Sequence, residues 1–377
     1  MSQPRIYLDH AATTPMLPAA KAAMLEAMER WANPSSPHAE GRAARAALED
    51  ARARIKRALG WDGEVIFTSG ASEAIDIAMG RTDRRLLVSA VEHDAVFRAA
   101  PDAHVLPIGA KAQVSREALG AALGSGPPAM VAIQHVNSET GVEQPVDDFA
   151  KDVRTAGGLL LSDCSQSAGK VPLPDADLIV VSAHKFGGPP GIGALLVRDL
   201  AMLKPVGGQE LGYRAGTQNL PGALGFAAAL EVFEIGNFPG PPIDALPMAR
   251  WMFDMGHAFS DLEYPIGQAG GLFQPEFASI EDAPRHIGNI NAITMPGLSA
   301  QAQLIQFDAA GIAVSAGSAC SSGSLKPSRA LAAFGVPEDE AACTIRVSFG
   351  WSTTWQDVDH FLKTWLKIAE KARSRAA

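Results

Sequence analysis

Apolar and polar positions in this chain alternate between two periods. Ile6-Tyr7-Leu8-Asp9 predicts a short strand, followed by the polar turn His10-Ala11-Ala12-Thr13-Thr14-Pro15. Residues 17–31 and 39–59 carry helical spacing. The first stretch is rich in alanine and methionine and the second in charge, and Asn33-Pro34-Ser35-Ser36-Pro37 breaks the chain between them. Short apolar runs then recur at 64–68, 86–91, 129–136, 158–163, 177–182 and 192–197. Helical patterns start near Ala71 and span 147–156. Strands alternating with helices predict an α/β architecture, a mainly parallel sheet covered by helices.

The proline- and glycine-rich stretch Phe238-Pro239-Gly240-Pro241-Pro242 marks a break in composition and a candidate domain boundary. Beyond it, 287–295 and 344–349 predict strands of a smaller α+β domain. The last helix carries Trp355, Val358, Phe361, Leu362, Trp365 and Ile368 at helical spacing, a stripe expected to pack into a core. No internal repeat is present.

Composition narrows the function classes. The 377 residues suffice for roughly two domains of about 150 each. With 47% hydrophobic and 19% charged residues, a large core is expected. A net charge of −9 without any lysine/arginine run argues against direct nucleic-acid binding and against an anionic membrane surface. Met1-Ser2-Gln3-Pro4-Arg5 leads into no apolar signal core, and no apolar stretch approaches the roughly 20 residues of a spanning helix. Cys164, Cys320 and Cys343 are too few and too widely spaced for a disulfide framework or a zinc site, so no metal is expected. A cytoplasmic enzyme with reduced thiols is the expectation.

The candidate chemistry gathers at strand ends. Ser182-Ala183-His184-Lys185 follows a buried-type strand and precedes a glycine- and proline-rich loop. A lysine held there, beside a hydroxyl and an imidazole, suits a desolvated amine that forms a Schiff base. Asp163 ends the preceding strand, with Gln166 three residues on. An acid able to pair with a pyridinium nitrogen and a Schiff-base lysine are what pyridoxal phosphate most needs from a protein. Thr68-Ser69-Gly70-Ala71-Ser72-Glu73 turns a strand into a helix, whose first N–H groups at Ala71 and Ser72 suit a phosphate; Ser72 as a plain cap is the competing reading. His93, after another strand, suits stacking and proton transfer, or equally a structural hydrogen bond. Gly187 to Gly193 lacks the lysine and hydroxyl of a nucleotide loop and is rejected as one. Cys320 stands in the serine- and glycine-rich stretch 315–324, where a thiol is exposed and able to act as a nucleophile, whereas Cys164 and Cys343 adjoin strands and read as structural. Arg346 is a charge inside an apolar strand and needs an anion, either an internal carboxylate or a substrate's.

Taken together, these residues resemble the class V aminotransferase family of fold-type I pyridoxal phosphate enzymes, and more narrowly cysteine desulfurases of the iron–sulfur and nitrogen-fixation type. The likeness rests on Tyr7-Leu8-Asp9-His10-Ala11-Ala12-Thr13-Thr14-Pro15, Asn33-Pro34-Ser35-Ser36, residues 68–73, Glu92-His93, 182–185, Arg214-Ala215-Gly216-Thr217 and Gly317-Ser318-Ala319-Cys320, and covers most of 5–235 and 287–365. It implies a large domain with a mainly parallel seven-stranded sheet at 16–245. A smaller α+β domain would join 1–15 to 246–377, with the active site between them and at a homodimer interface. It implies that Lys185 binds the cofactor and later acts as base. Asp163 meets the ring nitrogen, Gln166 the ring oxygen, and His93 the ring face. Ser72, Ser182 and His184 hold the phosphate, helped by Thr217 of a second subunit. Arg346 with Asn33 binds the substrate carboxylate, and Cys320 takes the sulfur of L-cysteine as a persulfide and passes it to an acceptor, either an iron–sulfur scaffold or a sulfur relay.

The chain departs from the family's pattern at Ser138, where an asparagine usually contacts the ring oxygen, at Ile75-Asp76, and throughout 236–286. A selenocysteine lyase, an aminotransferase and a weakened homologue that mainly binds partners are the competing expectations.

Overall fold

The computed structural model describes residues 5–233, 285–317 and 327–376. The composition break at 238–242, the boundary at 245/246 and Cys320 lie outside the described residues. The strands are β1 (Ile6–Tyr7), β2 (Glu64–Thr68), β3 (Arg85–Ser89), β4 (His104–Leu106), β5 (Ala129–Ala132), β6 (Leu159–Asp163), β7 (Leu178–Ser182), β8 (Gly193–Val197), β9 (Ile290–Thr294), β10 (Ile312–Ala313) and β11 (Thr344–Ser348). The helices up to residue 233 are α1 (Pro18–Met28), α2 (Ala39–Leu59), α3 (Ala71–Gly80), α4 (Asp94–Ala99), α5 (Arg116–Gly124), α6 (Val146–Thr155) and α7 (Leu220–Val232).

Seven strands form one sheet in the order β2-β8-β7-β6-β5-β3-β4. The pairs from β7 through β6, β5 and β3 to β4 are parallel, and only β8 runs against its neighbours β7 and β2. Both faces are covered, which is why the strands read as continuous apolar runs. Ile179 and Val181 of β7 join Leu196 and Phe67 in one core, beneath α1, α2 and α7. Leu178 and Val180 point the other way, to Leu195, Met130 and Ile75 of α3.

Helix boundaries follow local chemistry. His38 caps α2 by accepting the Gly41 N–H, and Gly60 ends it with φ 63°, a conformation glycine adopts without a Cβ clash. A third core joins Leu8 to Ile293, Ile345 and Val347, and Phe307 stacks on Phe361 with ring centroids 5.2 Å apart. Here β1 pairs parallel with β10 and β9 pairs antiparallel with β11. The final helix, Trp355–Ala376, buries Val358, Phe361, Leu362 and Ile368 as its stripe predicts, while Trp355 at its first turn stays 47% exposed.

The apolar run 129–136 forms a strand only to Ala132. Residues 133–136 leave the sheet, and Val136 bridges Glu143 in a turn that carries Ser138. No helix among the described residues is long and apolar enough to cross a membrane, and none of their side chains groups into a metal site.

Candidate active site

Parallel strands place their C-terminal ends along one edge of a sheet, where ligands bind in α/β proteins. A cavity of about 610 Å³ opens there, lined from the ends of β3, β5, β6 and β7 and by the turn from β2 into α3. Ala11 and Ala12 close one side, and Arg346 of β11, Pro327 and Arg329 reach it from another.

Lys185 sits on a single 3-10 turn directly after β7. Its Nζ donates to the peptide oxygens of Ala11 at 2.7 Å and Ala12 at 3.0 Å. His184 beside it places Nδ1 3.1 Å from the Thr13 hydroxyl. Burial, and then the Lys185 cation, push the His184 imidazole down to about 4, so it is neutral at physiological pH.

Asp163 ends β6 with Oδ1 accepting the Ser165 N–H at 2.9 Å. Gln166 donates through Nε2 to Ala11 O at 2.9 Å and keeps a buried Oε1 with no partner. His93 caps α4, its Nδ1 accepting the Ala95 N–H at 3.1 Å, which assigns the proton to Nε2. The residue before it, Glu92, is buried. Its carboxylate oxygen accepts the Gln134 N–H at 2.6 Å. Burial, opposed by that bond and reinforced by Asp163, pushes the Glu92 carboxyl up to about 8. Two carboxyls on one cavity floor are thus split, one able to stay ionised and one neutral.

The turn from β2 to α3 is built for close approach. Gly70 has φ 156° and ψ −177°, a region that side chains other than glycine avoid. A Cβ on Gly193 would lie 2.8 Å from Gly70 Cα, so bare backbones pass there. The first-turn N–H groups of α3, at Ala71 and Ser72, have no acceptor within the helix and face the cavity beside Ser182 and His184. Glu73 holds the turn by accepting the Ser69 N–H and pairing with Arg214 at 3.0 Å.

Arg346 is 5% exposed and bridges two elements. Its guanidinium donates to Asp9 Oδ1 at 2.8 Å and to Ser138 O at 3.0 Å, and its Nε is buried without a partner. The internal carboxylate therefore coexists with an open donor at the cavity wall.

Lys185, His93, Ala71, Ser72, Asp163, Gln166, Ser182, His184, Ser138 and Arg346 meet around this one space. Asn33 and Thr217 lie outside it. Both are exposed, and Asn33 turns its side-chain oxygen to the Ser35 N–H. Cys164 is buried, and burial pushes its thiol up to about 12, which leaves it inert as a nucleophile. Glu92, Asp9 and Thr13 belong to the site although their roles were not singled out in the sequence; only the apolar run ahead of Glu92 hints at a buried acid.

Comparison with known proteins agrees with this geometry. The family described as aminotransferase class-V matches residues 6–239. A cysteine desulfurase of Cereibacter sphaeroides is 33% identical over 98% of this chain and 97% of its own length. An IscS-like cysteine desulfurase of Mycobacterium tuberculosis is 35% identical over 98% of each. Among solved structures, a NifS-like protein of Rickettsia africae aligns with TM-score 0.83 and 28% identity over 97% of this chain and 99% of that one. A structure described as SspA in complex with cysteine aligns with TM-score 0.72 and 27% identity over 93% of this chain and 100% of its own. The sheet order and the strand-end site are those of fold-type I enzymes, as the resemblance implied, and the chain belongs to the class V aminotransferase family.

Proposed function

We propose that the protein is a pyridoxal phosphate-dependent cysteine desulfurase, converting L-cysteine to L-alanine and handing the sulfur to an acceptor protein. The observation that carries this reading is the convergence of an amine, a carboxylate, an anion cradle and an arginine around one cavity. The residues present fit the cofactor. The unpaired N–H groups opening α3, with Ser182 and neutral His184, suit a phosphate. Asp163 suits a protonated ring nitrogen, and the orphaned Gln166 Oε1 marks a polar atom awaiting a partner.

When bound, pyridoxal phosphate supplies an electron sink for the pair released at the substrate's α-carbon. The chain's residues do the rest. Lys185 binds the cofactor's aldehyde carbon through its amine, and once displaced it carries protons to and from the substrate carbon. Asp163 keeps the ring nitrogen protonated. Arg346 offers its open Nε to the substrate carboxylate while Asp9 and Ser138 hold the guanidinium plane. His93, held by its cap bond to Ala95, presents Nε2–H beside the ring position. Cys320 as thiolate attacks the substrate sulfur. The S–S bond forms as the carbon–sulfur bond breaks, the electron pair stays with the carbon fragment, and a proton completes L-alanine.

The wider reading follows the resemblance. The acceptor is an iron–sulfur scaffold or a sulfur relay, the protein is a cytoplasmic homodimer, Thr217 serves the partner's site, and Asn33 joins Arg346. A division into 16–245 and 1–15 with 246–377 accords with Leu8 packing into the core built from residues 293–369.

Alanine release from L-cysteine, with pyridoxal phosphate and a reductant, tests the reading. Wild type is expected to turn over and Cys320→Ala to lose at least about 100-fold, the scale of losing a nucleophile. Equal release from both removes Cys320 from the mechanism and favours a lyase. Absence from both sinks the desulfurase reading.

A further inference from the structure

The mechanism above leaves one interior cation without a task. Lys170 ends the turn that follows β6, its N–H bonded to Ser167 O at 2.9 Å. The same turn places Gln166 on Ala11 O, the peptide oxygen that also accepts Lys185 Nζ, and Val171 packs against Ala11 and Ile290. Lys170 therefore lies behind the Ala11 peptide from which the Lys185 amine hangs. The residue keeps part of its surface accessible, yet its amine end is desolvated.

The groups facing it are its electrostatic neighbours Lys185 and His10. From the C-terminal side, Thr353 places its hydroxyl 3.3 Å from His10 Nε2, and Tyr7 packs edge-on against the imidazole at 5.1 Å. His10 Nδ1 is buried with no partner. No carboxylate among the described residues pairs with Lys170. Burial and the Lys185 charge push the Lys170 amine down to about 7, and burial with Lys170 pushes His10 down to about 4. Two amines and a neutral imidazole share one pocket without a counter-charge.

We propose that Lys170 is a positioning residue whose positive charge, acting across the Ala11 peptide, keeps the Lys185 nitrogen in its unprotonated form. Repulsion between the two cations disfavours the state in which both are charged, so Lys185 stays available as nucleophile and base at neutral pH. This rests on Lys185 being the cofactor-binding amine.

The test compares wild type, Lys170→Met and Lys170→Arg. In the cofactor-loaded enzymes, the pH midpoint of the visible absorbance step reports protonation of the Lys185 nitrogen. Loss of the charge in Lys170→Met is expected to raise that midpoint by about half a pH unit or more. Lys170→Arg, a permanent cation, is expected to leave it at or below the wild-type value. Identical midpoints in all three overturn the proposal, as does an equal upward shift in both variants, which would mark a packing role. A second measurement omits the cofactor: the rate of Lys185 acetylation against pH, read by peptide mass spectrometry. The same ordering is expected there. If wild type takes up no pyridoxal phosphate yet the acetylation midpoints keep this order, the cofactor reading fails and the charge coupling survives. Equal acetylation midpoints sink the coupling itself.

Discussion

At the scale of single residues, the cavity floor is where charge and burial decide most. Glu92 binds a proton in the fold well above the pH at which a solvated glutamate loses it. The sign of its contribution follows. Below about pH 4.5 the carboxyl is neutral folded and unfolded, and costs nothing. As pH rises to about 8 the unfolded chain sheds the proton first, so the folded state loses relative stability across that window. Glu92→Gln keeps a neutral group and an acceptor for the Gln134 N–H. It is expected to melt several degrees above wild type at pH 8.5, with the gap shrinking towards pH 5; a gap constant with pH would mean that Glu92 does not titrate in the fold. The same scale explains what reading the sequence recovers. Lys185 and Asp163 are legible because each ends an apolar strand. Arg346 is legible as a charge inside one, but Asp9 lies 337 positions away, and only the tertiary fold joins them. Glu92 and Lys170 are illegible because an acid or amine in the sequence reads as solvent-facing until the chain buries it.

At the scale of elements, the strands that read most clearly are those buried on both faces, β5, β6, β7 and β8. In contrast, β4 at the sheet edge has three residues, two of them exposed, and leaves no periodic signal. The polarity of β8 is also invisible in the sequence, since hydrophobic alternation is the same in either direction. The turn between β2 and α3 is the element on which cofactor binding depends most. At Gly70 a side chain meets open space, yet the backbone conformation excludes it. Gly70→Ala is therefore expected to cost about 1–3 kcal/mol through strain alone. It should also weaken pyridoxal phosphate binding by about tenfold or more, because the first N–H groups of α3 would turn away. Titration of the visible absorbance with cofactor, beside a thermal melt, checks both. Unchanged affinity with a lowered melting temperature would uncouple the turn from the phosphate.

Across the whole molecule, three cores meet at residues 8–12. Leu8 belongs to the core of the β9–β11 pair, Ala11 packs with Val136 and Ile290, and the carbonyls of Ala11 and Ala12 carry the Lys185 amine. The N-terminal strand thereby ties distant parts of the chain to the reactive nitrogen, a connection that local periodicity does not contain. The pairing of Arg346 with Asp9 has a kinetic consequence at this scale. The wall that receives the substrate is already electrically balanced, and the molecule as a whole carries −9. An amino acid arriving as a zwitterion is then guided by neither local nor global field, and encounter is left to diffusion and shape. Raising ionic strength from about 0.02 to 0.5 M is expected to change kcat/KM for L-cysteine by less than about twofold. A tenfold fall would reveal an attractive field at the mouth of the site. Such indifference to salt would let turnover track the supply of free cysteine, whatever the ionic composition around it.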